Sequence, residues 1–92
     1  MTLVVVWSTL ASEQLEQLMA YIADDSPGAA QSLLNRIVEA AERLAEHPYM
    51  YRTGRKAGTR EMVVHPNYLV VYRVALGMID IVSVIHARRE YP

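Results

Sequence analysis

Arg55-Lys56-Ala57-Gly58-Thr59-Arg60-Glu61-Met62-Val63-Val64, then Tyr68-Leu69-Val70-Val71-Tyr72-Arg73-Val74, is the stretch on which the fold turns. A basic, glycine-containing loop runs into one β-branched segment, and a short gap leads to a second. His65-Pro66-Asn67 fills that gap with turn chemistry, so Glu61 to Val64 and Tyr68 to Ala75 read as antiparallel neighbours. Leu76-Gly77 makes a second tight turn, and Ile79 to His86 supplies a third strand of the same character. The three form a meander.

Working outward toward the N-terminus, Pro27 follows Ser26, a pairing that places an N-cap and the first helical position side by side. The helix they open carries a stripe of Leu34, Ile37, Val38, Ala41 and Ala45, flanked by Leu33 and Leu44, while Arg36, Glu39, Glu42, Arg43 and Glu46 face away. His47-Pro48 ends it, because the residue before a proline is driven out of the helical region. Upstream, Leu15, Leu18, Met19 and Ile22 line one face of an earlier helix, for which Ser8, Thr9 and Ser12 are N-cap candidates. Asp24-Asp25 leaves so short a link that the two helices must form an antiparallel hairpin. Leu3 to Trp7, a short valine-rich run, reads as an opening strand. The expected architecture is α+β, in the order β-α-α-β-β-β, with the helical hairpin packed on a small, mainly antiparallel sheet.

Ninety-two residues suffice for one core, so residues 1–92 are read as one domain. With 52% apolar and 21% charged residues the composition is that of an ordinary globular chain, which sets aside disordered and fibrous classes. No cysteine is present, so neither disulfides nor thiolate metal sites contribute. No basic leader and no apolar run of about 18 residues is found, which makes the cytoplasm the default compartment and argues against a membrane. The net charge of −1 hides an asymmetry. Up to Glu46 the acids Glu13, Glu16, Asp24, Asp25, Glu39, Glu42 and Glu46 meet only Arg36 and Arg43. From His47 on, Arg52, Arg55, Lys56, Arg60, Arg73, Arg88 and Arg89 outweigh Glu61, Asp80 and Glu90. A basic C-terminal half attracts a polyanion or an acidic protein partner; a solvated surface of uneven charge is the bland alternative.

The loop and strands quoted above, together with Trp7-Ser8 after the first strand and the closing Val84-Ile85-His86-Ala87-Arg88-Arg89-Glu90-Tyr91-Pro92, resemble the RelE/ParE toxin superfamily over essentially the whole chain. The resemblance is closer to its ParE-like branch. It implies the toxin of a bacterial type II toxin–antitoxin pair, a growth inhibitor neutralised by a cognate antitoxin that wraps it. The target differs between branches: RelE-like members cut messenger RNA in the ribosomal A site, and ParE-like members poison DNA gyrase. Fold alone does not choose between them.

As a metal-independent ribonuclease the chain would need a base, an acid and cations around the phosphorane. Arg60 and Arg73 would then clamp phosphate, Arg88 would stabilise the transition state, and His86 or Tyr91 would serve as acid or base. The bland readings stand beside these. Strict alternation puts His86 on one face with Asp80, Val82 and Val84, as a histidine at the core margin, and Arg73 can snorkel or pair with Glu61. Tyr49 and Tyr51 interleave with Arg52, Arg55 and Lys56 in a mix able to stack bases, or to pack over a helix end. His47 and His65 precede prolines and suit turns. No metal-ligand spacing, phosphate loop or nucleophile elbow occurs, Ser83 lies in a strand without an evident partner, and no cofactor is expected.

RelE-like ribonucleases are strongly basic, to dock on ribosomal RNA, and this chain has a single lysine, Lys56. The balance favours gyrase, with Arg55, Lys56, Arg60, Arg88 and Arg89 as target-binding residues and no bond-making chemistry. The ribosome and its messenger are the alternative target, and a non-toxic antitoxin-binding module is a third reading. The antitoxin is expected to cover the sheet rim and the groove beside the hairpin by strand addition or helix docking, using acidic residues against the basic half. Without it the chain could form a homodimer.

Overall fold

In the computed structural model, which describes residues 2–87, the chain runs β1 (Val4–Trp7), α1 (Thr9–Asp25), α2 (Pro27–Glu46), β2 (Arg52–Thr53), β3 (Arg60–His65), β4 (Tyr68–Ala75) and β5 (Met78–His86). The strands form one sheet in the order β1-β5-β4-β3-β2. β5, β4, β3 and β2 are joined antiparallel, and β1 pairs parallel to β5. This is the expected α+β layout with one addition: the two-residue β2, which pairs Arg52 with Glu61 and Thr53 with Arg60 at the sheet edge.

The helix starts follow capping chemistry. The Ser8 hydroxyl accepts from the Ala11 N–H at 3.0 Å and donates to the Val82 carbonyl at 3.0 Å, so one side chain caps α1 and ties it to β5. Ser26 caps α2 through the Ala29 N–H at 3.2 Å, with Pro27 at the first turn. At the other end the His47 N–H closes on the Arg43 carbonyl before Pro48.

α2 buries a different face from the one its apolar stripe suggests. Ala30, Leu33, Ile37, Ala40, Ala41, Leu44 and Ala45 are buried, whereas Val38 stays 47% exposed and Leu34 is half-buried. The row Leu33–Ile37–Ala40–Leu44 is therefore the centre of the contact rather than its flank, because the alanines beside it let the helix approach its neighbours closely. Arg36 faces solvent as expected, yet its guanidinium reaches back to donate to the Val64 carbonyl at 3.3 Å.

The hairpin covers one face of the sheet, where Met62, Val70, Tyr72, Ile79 and Ile81 are fully enclosed. A bulge at Val82 shifts the β4–β5 register between Val71↔Ser83 and Tyr72↔Ile81. Its consequence is that Ile79 and Ile81 before the bulge and Val84 after it all join the core under the hairpin. The strict alternation expected for His86 is thereby corrected: it follows Val84, Ile81 and Ile79, while Asp80 and Val82 lie toward the opposite face. There Leu69, Val71 and Ile85 form a second, smaller apolar cluster with Val82 and Ala87. At the β4–β5 turn Gly77 takes a φ of +73°, a conformation that favours glycine. Among the described residues no helix is long and apolar enough to cross a membrane.

Candidate target-binding surface

Burial of Tyr72 on the hairpin side of β4 leaves its hydroxyl needing a partner, and it donates to the Pro48 carbonyl at 2.7 Å. Burial pushes the Tyr72 phenol up to about 12, against a lowering by Arg60 and a smaller rise from Tyr51. The Tyr51 ring meets the Tyr72 ring edge-on, with centroids 6.4 Å apart. Arg60, in register with Tyr72 on the adjacent strand, donates to the Tyr51 carbonyl at 2.7 Å and the Tyr49 carbonyl at 3.5 Å. Its guanidinium also lies 5.0 Å from the centre of the Tyr49 ring. Two strand residues thus pin the segment from Pro48 to Tyr51 through its Pro48, Tyr49 and Tyr51 carbonyls.

On the opposite face of β3, Glu61 is 4% exposed. Its carboxylate accepts from Arg52 at 3.0 Å, from the Arg55 side chain at 3.5 Å and from the Arg55 backbone N–H at 3.2 Å. This carboxylate, and not the strand-to-strand pair with Arg73, is what organises the basic loop. The expected Arg73–Glu61 pairing does not form, because Glu61 stands opposite Val71 while Arg73 stands opposite Asp80 on β5. The loop turns back through Thr59, whose hydroxyl donates to the Lys56 carbonyl at 2.7 Å, and through the Gly54 N–H, which donates to the Thr59 carbonyl at 2.8 Å.

The two anchored segments enclose a cleft of about 440 Å³ whose wall includes Tyr49, Lys56, Gly58, Arg60 and Val74. Tyr49 is 66% exposed, and Met50 and Leu76 are exposed as well. The cleft therefore offers an aromatic face and a cation on a flexible stem, which suits adhesion to a protein or polyanion surface. Among the described residues no group of three His, Cys, Asp or Glu side chains gathers as a metal site would require.

Among the described residues, those that a ribonuclease reading needs are spread out. Arg60 lies on the hairpin face, and Arg73 shares the other face with Leu69 and Val71. His86 is on the hairpin side but packs edge-on against Tyr68, 5.4 Å between ring centres. Tyr68 and Tyr72 are four residues apart on β4, about 13 Å at strand rise, so His86 and Arg60 sit near opposite ends of the sheet. Arg88, Arg89 and Tyr91 lie outside the described residues. His65 does turn work, its Nδ1 accepting from the Asn67 N–H at 3.0 Å. Sequence reasoning missed Glu61 and Tyr72 as organisers. Signals were present in the acid flanked by Arg52, Arg55 and Arg60, and in a tyrosine set at core spacing between Val70 and Val74.

Comparison with known proteins gives a consistent answer. Residues 5–91 match the family described as ParE toxin of type II toxin-antitoxin system, parDE. The chain is 37% identical to the putative toxin Y4kP of Sinorhizobium fredii over 87 residues, covering 94% of this chain and 90% of that protein. It is 42% identical to toxin RelE2 of Caulobacter vibrioides over 85 residues, covering 92% and 96% respectively. Among solved structures, the chromosomal ParDE toxin–antitoxin system from P. aeruginosa superposes with a TM-score of 0.78 at 19% identity, covering 92% of this chain and 96% of that one. The RelBE2 toxin–antitoxin complex from Mycobacterium tuberculosis gives 0.67 at 22% identity, covering 94% and 99%. The chain belongs to the ParE toxin family of type II toxin–antitoxin systems, within the RelE/ParE superfamily.

Proposed function

We propose that this ParE-family toxin acts in the cytoplasm by poisoning DNA gyrase, without bond-making chemistry of its own, and that a cognate antitoxin neutralises it. The observation that carries the reading is the commitment of Arg60. Its guanidinium bonds the Tyr51 and Tyr49 carbonyls and faces away from Arg73. A phosphate clamp built from these two arginines would require rearrangement of the 48–51 segment and a change of sheet face. Near-zero net charge supports the same choice, since docking on ribosomal RNA rewards a strongly basic surface. The antitoxin assignment is supported by the family itself and by the two structural relatives, a ParDE toxin–antitoxin system and a RelBE2 toxin–antitoxin complex.

The contact surface on this reading is the Tyr49–Lys56 cleft with exposed Met50, joined by the Arg55 side of the loop. Arg88 and Arg89 are assigned to the same contact on sequence charge alone. Arg60 positions Tyr49 rather than touching the target. Induced expression of the chain is expected to halt growth with accumulation of gyrase-linked DNA breaks, and co-expression of the antitoxin to restore it. Tyr49→Ala combined with Lys56→Glu is expected to lower toxicity, while Arg73→Ala leaves it intact. Full toxicity of the double variant with loss in Arg73→Ala contradicts the assignment, and absence of growth arrest in the native chain favours the non-toxic binding module.

A further inference from the structure

β5 is held differently along its two halves. β1 pairs with it only from Val4↔Met78 to Trp7↔Ile81, so beyond Ile81 the outer edge of β5 has no strand beside it. α1 takes over there. The Ser8 N–H donates to the Ile81 carbonyl at 3.0 Å, and the Ser8 hydroxyl donates to the Val82 carbonyl at 3.0 Å. Further along the helix, the Gln14 side-chain oxygen accepts from the Val84 N–H at 2.8 Å. Outward backbone groups of β5 on both sides of Ser83 are thus satisfied from α1 and its cap.

Those groups bracket the bulge. Val71 pairs with Ser83 and Tyr72 with Ile81, which leaves Val82 as the extra residue. Carried on without a bulge, the pairing of Val74 with Ile79 and Tyr72 with Ile81 would set Ser83 opposite Val70 and Ile85 opposite Tyr68. Every side chain after Val82 would then change face. The Ser83 hydroxyl would enter the core, His86 would leave the hairpin side, and Ala87 would join it. In the bulged register Val84 takes the core position, His86 meets Tyr68 edge-on, and Ala87 packs with Leu69, Val71 and Ile85 on the open face. The apolar pattern selects the bulge, and the bonds from Ser8 and Gln14 fix the path of β5 through and beyond it.

We propose that Gln14 is a positioning residue for target contact: by holding the Val84 amide it sets the face and direction in which β5 delivers Ala87, and hence the start of Arg88-Arg89. This rests on the target-binding reading, which assigns both arginines to the contact, and adds the helix residue on which their presentation depends. Gln14 suits the task chemically. Its amide oxygen accepts from a backbone N–H without bringing charge into a half-buried position, whereas Glu13 and Glu16 are exposed. One neutral bond contributes little to stability, because water replaces it in the unfolded chain. It constrains, however, a strand end that β1 does not reach.

The test compares three variants with the native chain. Gln14→Leu keeps the bulk and removes the acceptor, and Gln14→Glu keeps an acceptor. Ala20→Gly, at an exposed position further along α1, weakens the helix and leaves the Gln14 bond in place. Amide exchange should show Val84 protected in the native chain and in Gln14→Glu, and unprotected in Gln14→Leu. The concentration that half-inhibits gyrase supercoiling should rise roughly tenfold in Gln14→Leu. It should stay native in Gln14→Glu and in Ala20→Gly, although Ala20→Gly lowers Tm by a comparable amount. Native inhibition by Gln14→Leu, or an equal loss in Ala20→Gly, overturns the positioning role and reduces Gln14 to a stabilising contact. Lost inhibition in Gln14→Glu with Val84 still protected overturns it as well. A native chain that spares gyrase and cuts messenger RNA brings down the target reading alone, and the same variants, read as messenger cleavage, then decide the role of Gln14. A native chain inactive toward both targets brings down the two together.

Discussion

Replacing Tyr72 by Phe removes one oxygen from the centre of the molecule, and its consequences follow from the geometry. The hydroxyl is enclosed under the hairpin and donates to the Pro48 carbonyl at 2.7 Å. A neutral hydrogen bond contributes about 1 kcal/mol net, and a half-buried carbonyl left without its donor adds a comparable penalty, so the loss should be about 1–2 kcal/mol. For a domain of this size that is a fall in Tm of roughly 5–15 °C, at about 4–8 °C per kcal/mol. The same residue carries a pH signature. Because burial raises the folded phenol to about 12 from its ordinary value of 10.0, the folded state holds its proton where the unfolded chain has released it. The stabilisation is complete below pH 10 and is lost as pH rises through 12, since the unfolded state binds fewer protons in that window. Thermal unfolding of both proteins, followed by circular dichroism from pH 8 to about pH 11, should show a gap that narrows above about pH 10. A gap that is absent at pH 8, or that stays constant to the alkaline end, would refute the reasoning.

Glu61→Gln should cost about 1–2 kcal/mol in urea unfolding, by trading a charge-assisted acceptor for a neutral one toward the largely exposed Arg52 and Arg55, and amide exchange should rise in the basic loop. Ile37→Ala, at the enclosed centre of α2, should cost about 2–5 kcal/mol, whereas Val38→Ala, one residue on and exposed, should stay within about 0.5 kcal/mol. Equal losses from these two would return the helix to the orientation its apolar stripe suggested. Gly77→Ala should lower Tm measurably, because its φ of +73° strains any L side chain.

Local chemistry made most of the architecture legible. Ser26-Pro27 and His47-Pro48 bracket α2 as capping rules require, and the turns at Pro66-Asn67 and Leu76-Gly77 set antiparallel neighbours. What escaped depended on long-range packing. β2 is too short for any periodicity, and Arg52-Thr53 is held in place by a carboxylate on the next strand. The face of α2 was misjudged because leucine and valine outweigh alanine in an apolar stripe, while close approach favours Ala40 and Ala41. The bulge at Val82 has no local sequence mark; it is fixed by the Ser8 hydroxyl bonding its carbonyl and by the register with β4. At the candidate site Lys56 and Tyr49 were identifiable from the interleaving of rings and cations. The bonds from Arg60 to the Tyr49 and Tyr51 carbonyls could not be read, since the same guanidinium geometry serves a phosphate or a pair of carbonyls.

The most direct test of the account adds purified chain separately to a gyrase supercoiling reaction and to programmed ribosomes carrying end-labelled messenger RNA. The account predicts loss of supercoiling with accumulation of cleaved DNA, reversed by antitoxin, and intact messenger. Cleavage of messenger in the A site with gyrase activity unaffected would contradict it, and would make Arg60, Arg73, His86, Arg88 and Tyr91 the residues to mutate.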